Sequence, residues 1–189
     1  MHRQPVLELL RDYQKWNWDF PGEEFRRQQI VDFVHSTPDC FLRSHLAGHL
    51  TGSAQIVDPD WSRVLLMHHR KLDKWLQLGG HADGETDMAE VALKEAQEES
   101  GLSAFELFDP VPFDLDVHPI PARGEVPEHY HYDIRFLLIA ADPDGIEANA
   151  ESLGLAWFTP DQARAVTQEP SMLRQFDKFE QLASRRQGS

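Results

Sequence analysis

The apolar residues of this chain follow helical spacing in some segments and strand spacing in others. Two helices are expected between residue 1 and about residue 38, separated by a turn at 19–22. Strand patterns follow at 50–56, 64–67, 111–118, 129–140 and 155–158, with helices at 88–100, after Thr159-Pro160 and near 172–183. Strands interspersed with helices predict an α+β fold, in which helices cover a sheet.

The change from helical to strand spacing near residue 40 predicts the domain organisation. We expect an N-terminal helical extension at 1–40 and one main domain at 41–189, which also carries the C-terminal helices. A chain of 189 residues is long enough to bury a core without disulfides or structural metals.

The composition of the chain argues against nucleic-acid and membrane partners. The net charge of -14 argues against nucleic acid as a partner, because nucleic-acid binders carry a positive footprint. The sequence has no apolar run near the ~20 residues that cross a bilayer, so no membrane partner is expected. Cys40 is the only cysteine, which excludes an internal disulfide and is consistent with a cytoplasmic location.

The helix predicted at 88–100 has clear signals at both ends. Asp87, followed three residues later by Glu90, fits a capping box, and Gly101 is a common helix stop. A glycine pair, Gly79-Gly80, precedes the helix and predicts a loop that lets backbone approach a ligand.

Three carboxylates lie within this helix at spacings of three and four residues. Glu95, Glu98 and Glu99 therefore share one helix face, where like charges repel one another. A hard divalent cation with oxygen ligands would relieve that repulsion. A solvated acidic face explains the same residues, and the spacing alone leaves both interpretations open.

The segment 79–102, GGHADGETDMAEVALKEAQEESGL, resembles the box of the Nudix hydrolase family. The stretch from Lys94 to Leu102 matches the second half of that box without a gap. The first half departs from the family pattern. Lys94 stands at the family's arginine, Thr86 at its early glutamate with Glu85 one place before, and Leu78 where many members have proline. In the family the arginine and the early glutamate mainly brace the loop.

The resemblance implies a Nudix-type α/β/α sandwich with a mixed sheet, and an enzyme that hydrolyses phosphoanhydride bonds. It also implies Mg²⁺ or Mn²⁺ as cofactor, held by Glu95, Glu98 and Glu99, with a backbone carbonyl of Gly79 as a further ligand. Glu151, six residues before Trp157, resembles a late-loop glutamate that assists catalysis in some members.

A second polar pattern follows the strand predicted at 129–140. Alternation places His129, His131, Asp133 and Arg135 on one face, which suits contact with a metal or a phosphate but also a solvated polar face. His81 follows the glycine pair directly. We predict substrate-binding roles for these five residues and for Lys94.

The resemblance leaves several functions open. The favoured one is cleavage of the diphosphate in a small nucleotide substrate, a nucleoside diphosphate sugar or ADP-ribose, by a homodimer. The alternatives are a nucleoside triphosphate pyrophosphohydrolase and a nucleotide sensor without catalysis. A metal-binding β protein that uses His129, His131 and Asp133 is a third, in which the acidic helix is incidental.

Overall fold

A computed structural model of the chain describes residues 2–150 and 152–187. Two helices come first, a third helix separates two runs of four strands, and two further helices follow the last strand. The helices are α1 (Gln4–Asp12), α2 (Glu23–Ser36), α3 (Met88–Ser100), α4 (Pro160–Val166) and α5 (Pro170–Gln187). The strands are β1 (Gly48–Val57), β2 (Val64–His69), β3 (Lys74–Leu76), β4 (Leu78–His81), β5 (Phe105–Leu107), β6 (Asp114–Ile120), β7 (His129–Ala140) and β8 (Ser152–Phe158).

The strands pair in the order β3-β2-β1-β7-β5, while β4 pairs with β1, β6 with β7 and β8 with β2. Strand β6 runs antiparallel to β7, with Asp116 opposite Asp133 and His118 opposite His131. Strand β8 runs antiparallel to β2, with Trp157 opposite Leu65. These pairings fix which side chains share a face, because neighbouring residues in a strand point to opposite faces.

The described residues form two compact units. The first contains residues 2–53, 79–92 and 109–136. Its core joins α1 and α2 to strands β1, β6 and β7, with Leu10, Ile30, Leu50 and Phe136 fully buried. The Phe33 ring stacks on Tyr132 with ring centroids 3.8 Å apart. Side chains of the two N-terminal helices are thus part of this core.

The second unit contains residues 54–78, 93–108, 137–150 and 152–187. The apolar residues of its core come from β1, β2, α3 and β7, among them Ile56, Leu65, Ala96 and Leu138. Helix α4 begins with a complete capping box, in which the Thr159 hydroxyl accepts from the backbone N–H of Gln162 and the Gln162 side chain accepts in return.

Most of the predicted elements are confirmed. Helix α3 has the predicted bounds, and the turn after β1 is held by Asp58, which accepts from the backbone N–H groups of Ser62 and Arg63. The predicted glycine loop is wrong in part, because Gly79-Gly80 lie within the short strand β4. The strand predicted from residue 111 begins only at Asp114. The boundary between an N-terminal extension and a main domain stays a prediction.

Cys40 lies at the entrance to β1. Its side chain is fully buried, and its backbone carbonyl accepts from the N–H of Leu50 at 2.7 Å. Burial raises the pKa of the thiol to about 11. The thiol is therefore protonated at neutral pH and is a poor nucleophile.

Candidate functional site

The start of helix α3 is held by local hydrogen bonds. The Asp87 carboxylate accepts from the backbone N–H groups of Ala89 and Glu90, at 3.0 and 3.3 Å. A capping box would also have the Glu90 side chain accept from the backbone N–H of Asp87, and here a different side chain accepts from it. The Asp87 N–H donates to Glu85 at 2.9 Å, and the same oxygen accepts from the N–H of Thr86 at 2.6 Å. Glu85 therefore takes the place that a capping box would give to Glu90.

The hydrogen bonds to Glu85 matter because Thr86, not glutamate, stands at the early glutamate position of the Nudix box. The backbone N–H groups of Asp87 and Thr86 lower the pKa of the Glu85 carboxyl, which favours its charged form. Glu85 thus organises the backbone at the start of the helix, although it stands one place before the position expected from the family pattern. The turn before α3 is therefore still held by a glutamate side chain, although that glutamate is shifted by one residue.

Two glycines allow close packing around the loop and the helix. A Cβ on Gly79 would lie 2.3 Å from the Ser53 hydroxyl oxygen and 2.7 Å from the Ser53 Cα, so a side chain there would collide with β1. A Cβ on Gly52 would lie 2.8 Å from a Val91 methyl, where the first turns of α3 pack on β1. The sequence places glycine at the two points where backbone must come close.

The three carboxylates of α3 differ in exposure. The Glu98 side chain is 58% exposed, Glu95 is half-buried, and Glu99 is buried at 6%. Lys94 approaches Glu98 at 3.7 Å, one turn away. The helix ends at Gly101, whose φ of 74° lies in the left-handed region. We call α3 with Glu95, Glu98 and Glu99 the carboxylate helix.

A second group of polar side chains lies in the first unit. His49 of β1, His81 of β4, His118 of β6, and His129 and His131 of β7 form what we call the histidine cluster. The His49 ring centroid lies 4.9 Å from those of His81 and His131 and 5.1 Å from that of His129. His118 joins at the edge, 5.6 Å from His131. Four strands thus contribute to the cluster.

The centre of the cluster is shielded from water. His49 is only 3% exposed. Burial, and then the neighbouring His81 and His129, lower the pKa of His49 to about 4. Burial, followed by the effect of the surrounding histidines, lowers the pKa of His131 to about 2. Both rings are neutral at pH 7, the form in which an imidazole nitrogen can accept a hydrogen bond or bind a metal.

A buried ion network lies on the same strands. The Arg135 guanidinium donates to Asp133 at 2.6 Å, Asp114 at 3.0 Å and Asp116 at 3.2 Å. The hydroxyls of Thr51 and Ser53 donate to Asp133. Asp116 also lies 3.1 Å from Nδ1 of His118, which links the network to the histidine cluster. We call these residues the Arg135 network.

The Arg135 network excludes a solvated polar face along the inner part of strand β7. The inner part of its predicted polar face is not solvated, since Asp133 is 2% and Arg135 is 1% exposed. Both lie inside the unit because their charges are paired there. The predicted substrate roles of Asp133 and Arg135, like those of His129 and His131, stay predictions, and so do those of His81 and Lys94.

The predicted site residues therefore fall into separate groups. The structure keeps Glu95, Glu98 and Glu99 together on α3 and brings His81 beside His131, with ring centroids 5.1 Å apart. Glu151 lies outside the described residues. His49 was not among the predicted residues. Its signal is the second face of β1, where His49, Thr51, Ser53 and Gln55 alternate with apolar residues and all four are buried.

The sequence between β1 and α5 identifies the family. The model of the NUDIX domain matches residues 51–179, which is more than half of the chain. The chain belongs to the Nudix family. The resemblance in the box is thereby confirmed, and Nudix membership makes the chain a hydrolase that acts on phosphoanhydride bonds. Nudix hydrolases generally use divalent metals and act on small nucleotide substrates.

Solved Nudix structures share the fold. An Ap4A hydrolase from C. elegans, in a binary complex, has a TM-score of 0.58 and 16% identity over 71% of this chain and 97% of that one. A NUDIX-family hydrolase from Clostridium perfringens gives 0.53 and 24% over 71% and 97%. The E. coli dihydroneopterin triphosphate pyrophosphohydrolase gives 0.54 and 17% over 72% and 95%. At these identities the likeness confirms the predicted fold class and no more.

No curated protein sequence matches this Nudix chain significantly. Within residues 2–150 and 152–187, no helix is both long and apolar enough to span a bilayer.

Proposed function

We propose that this Nudix protein hydrolyses the diphosphate of a nucleoside diphosphate linked to another moiety, with a nucleoside diphosphate sugar or ADP-ribose as the favoured substrate. The observation that carries the proposal is the carboxylate helix. Glu95, Glu98 and Glu99 stand at i, i+3 and i+4 on a helix whose start and end are both held by local contacts. The glutamates that the chemistry needs are intact.

The donor set fits Mg²⁺ or Mn²⁺. Carboxylate oxygens are the ligands that these hard cations prefer, and three on one helix face supply the negative charge that binding requires. Glu95, Glu98 and Glu99 would hold the ion, together with a backbone carbonyl of Gly79. When bound, the ion neutralises the diphosphate and lowers the pKa of a water molecule at the site.

Residues of the chain itself would prepare the site. Glu98 is exposed and can reach an incoming ligand, and the Lys94 ammonium lies 3.7 Å from its carboxylate. Glu99 is the most buried of the three carboxylates, so its side chain would lose less conformational entropy on binding. His81 would contact the substrate. Glu151 would assist catalysis, as the family resemblance implies.

Three arguments support the substrate class. The paired Glu98-Glu99 suits a metal-bridged diphosphate, and the net charge of -14 disfavours a polynucleotide. The N-terminal helices resemble the additions common in dimeric family members that split diphosphate sugars. We therefore propose a homodimer. The names of two similar structures, an Ap4A hydrolase and a dihydroneopterin triphosphate pyrophosphohydrolase, supply competing substrates for the test.

A substrate panel tests the proposal. Purified protein is assayed with Mg²⁺ or Mn²⁺ against nucleoside diphosphate sugars, ADP-ribose, nucleoside triphosphates and dinucleoside polyphosphates, with products identified by mass. We expect the highest kcat/KM for a diphosphate sugar or ADP-ribose. A much higher value for triphosphates would replace the substrate class and leave the reaction in place. Activity on none of the panel would favour the sensor.

Two further measurements test the chemistry. Activity should vanish in excess chelator and return with Mg²⁺ or Mn²⁺, so full turnover in chelator contradicts the role of the carboxylates. Hydrolysis in ¹⁸O-labelled water should place the label in a phosphate of the products, because water attacks phosphorus. Label on the sugar carbon would show that the glycosidic bond is the one that breaks.

A further inference from the structure

The histidine cluster has ring nitrogens for which the fold supplies no partner. Among the residues that the structure describes, neither nitrogen of His49 has a hydrogen-bond partner, and neither does Nε2 of His131. Both atoms of His49 are buried in a side chain that is 3% exposed. A buried polar atom without a partner costs about 1–3 kcal/mol, so such a group calls for an explanation.

The nitrogens of three histidines converge. One ring nitrogen from each of His49, His129 and His131 lies within 4.8 Å of the other two. In a tetrahedral zinc site with ~2.0–2.1 Å bonds, ligand nitrogens lie about 3.3 Å apart. Each ring would have to move by about 1 Å toward the centre to bind one ion.

The surroundings support metal rather than anion. Nδ1 of His129 lies 2.9 Å from the backbone carbonyl of Pro127. That carbonyl can only accept, so Nδ1 carries the proton and Nε2 offers its lone pair. A lone pair on an imidazole nitrogen binds a metal cation directly, whereas the oxygens of a phosphate need hydrogen-bond donors.

We propose that His49, His129 and His131 bind one transition-metal ion of the zinc class, with a fourth position open to water or another ligand. Nitrogen ligands suit zinc and its neighbours in the first transition row, whereas magnesium and calcium prefer oxygen. The site shares no residue with the carboxylate helix. Partly exposed His131 gives the ion a route from solvent, and His81 and His118 lie beside the site.

The site differs from the one that the strand pattern suggested. Alternation in β7 offered Asp133 as the third ligand after His129 and His131. Asp133 instead accepts from Arg135, Thr51 and Ser53, and His49 of β1 takes its place beside the two histidines. For His129 and His131 this inference replaces contact with a substrate phosphate by metal ligation.

The test is zinc stoichiometry, which does not depend on hydrolysis. Metal-stripped full-length protein is equilibrated with Zn²⁺ in excess Mg²⁺, desalted and analysed for bound zinc. We expect one zinc per chain in wild type and binding weaker by a factor on the order of 10² or more in His49→Gln and His131→Gln. His35→Gln, at an exposed histidine of α2, is the matched control and should bind like wild type.

A second pair of variants separates the two sets of residues. Glu98→Gln and Glu99→Gln should keep zinc binding. Loss of zinc in these variants, with binding kept in His49→Gln, would move the site to the carboxylate helix and overturn the proposal. So would a wild-type protein that retains no zinc.

Wild-type protein alone gives an independent readout, which is needed if a histidine variant fails to fold. X-ray absorption at the zinc edge distinguishes imidazole ligands, whose rings give outer-shell scattering, from carboxylates. We expect three imidazoles. A spectrum dominated by oxygen ligands without imidazole scattering would overturn the assignment.

Discussion

The carboxylate helix and the histidine cluster bring reactive side chains together differently, the first from neighbouring residues and the second from separate strands. The helix gathers its three glutamates within five residues and holds them by local bonds from Asp87 and Glu85. The histidine cluster takes its members from four strands, with His49 and His131 far apart in sequence. Local assembly leaves the Glu98 carboxylate exposed, whereas assembly across strands buries the His49 ring and depends on the packing of four strands.

This contrast predicts different consequences of mutation. Exposed carboxylates contribute little to stability, because water solvates them whether or not the chain is folded. A buried charge network contributes through the penalty of losing a partner. Changes in the carboxylate helix should therefore reduce catalysis with little loss of stability, and changes near the histidine cluster should reduce stability.

The largest expected effect is at Arg135. Arg135→Met removes the guanidinium from three buried carboxylates, and we expect the free energy of unfolding to fall by about 3–5 kcal/mol. Urea denaturation followed by circular dichroism measures it. The control is Arg11→Met, which breaks the exposed pair with Asp12 and should cost less than about 1 kcal/mol. Equal losses in the two variants would remove the contrast.

The next effect is catalytic. Glu98→Gln keeps the shape of the side chain but removes a charge that the proposed metal needs, so kcat should fall by about 10²-fold or more. The stability of metal-free protein should hold or rise, because repulsion with Glu95 and Glu99 is relieved. Steady-state kinetics and thermal unfolding are measured on the same sample. Turnover close to that of wild type would mean that this helix face is only solvated.

A smaller effect is expected where the helix begins. Asp87→Ala removes the acceptor for two backbone N–H groups, and loss of such a cap costs about 1 kcal/mol. Asp60→Ala, at an exposed turn residue, should change the urea midpoint far less. If the two variants have the same midpoint, the helix start is held by packing rather than by its cap.

The smallest effect tests the departure at the arginine of the family box. Lys94→Met removes an exposed i,i+4 pair with Glu98, which should cost about 0.2–0.5 kcal/mol and become undetectable at high salt. A salt-independent loss above about 1 kcal/mol would show that Lys94 braces the loop as the family's arginine does. Lys71→Met at an exposed turn is the control.

The same contrast explains what the sequence could predict. The bounds of α3 follow from Asp87 and Gly101, which act on their own neighbours in the chain, so a single stretch of sequence contains the whole signal. Strand β7 was predicted with equal precision, because alternation over residues 129–136 continues directly into the apolar run at 137–140.

The histidine cluster could not be predicted in the same way. Alternation places His129 and His131 on one face of β7, but it does not say which strand lies beside them or in what register. That partner is β1, and its ten residues are buried on both faces, which conceals the usual contrast between a polar and an apolar side. The short strands β3, β4 and β5 escaped prediction because three or four residues carry too little periodic signal.

The buried thiol of Cys40 offers a built-in reporter for this half of the molecule. Its carbonyl holds Leu50, the neighbour of His49, and its sulfur is shielded from reagents while that region stays closed. Alkylation of the native protein would therefore require opening of this region. The alkylation rate would measure how often that opening occurs. Because Cys40 is the only cysteine, every labelled molecule records the same event, and a ligand that bridges β1 and β7 would slow the labelling.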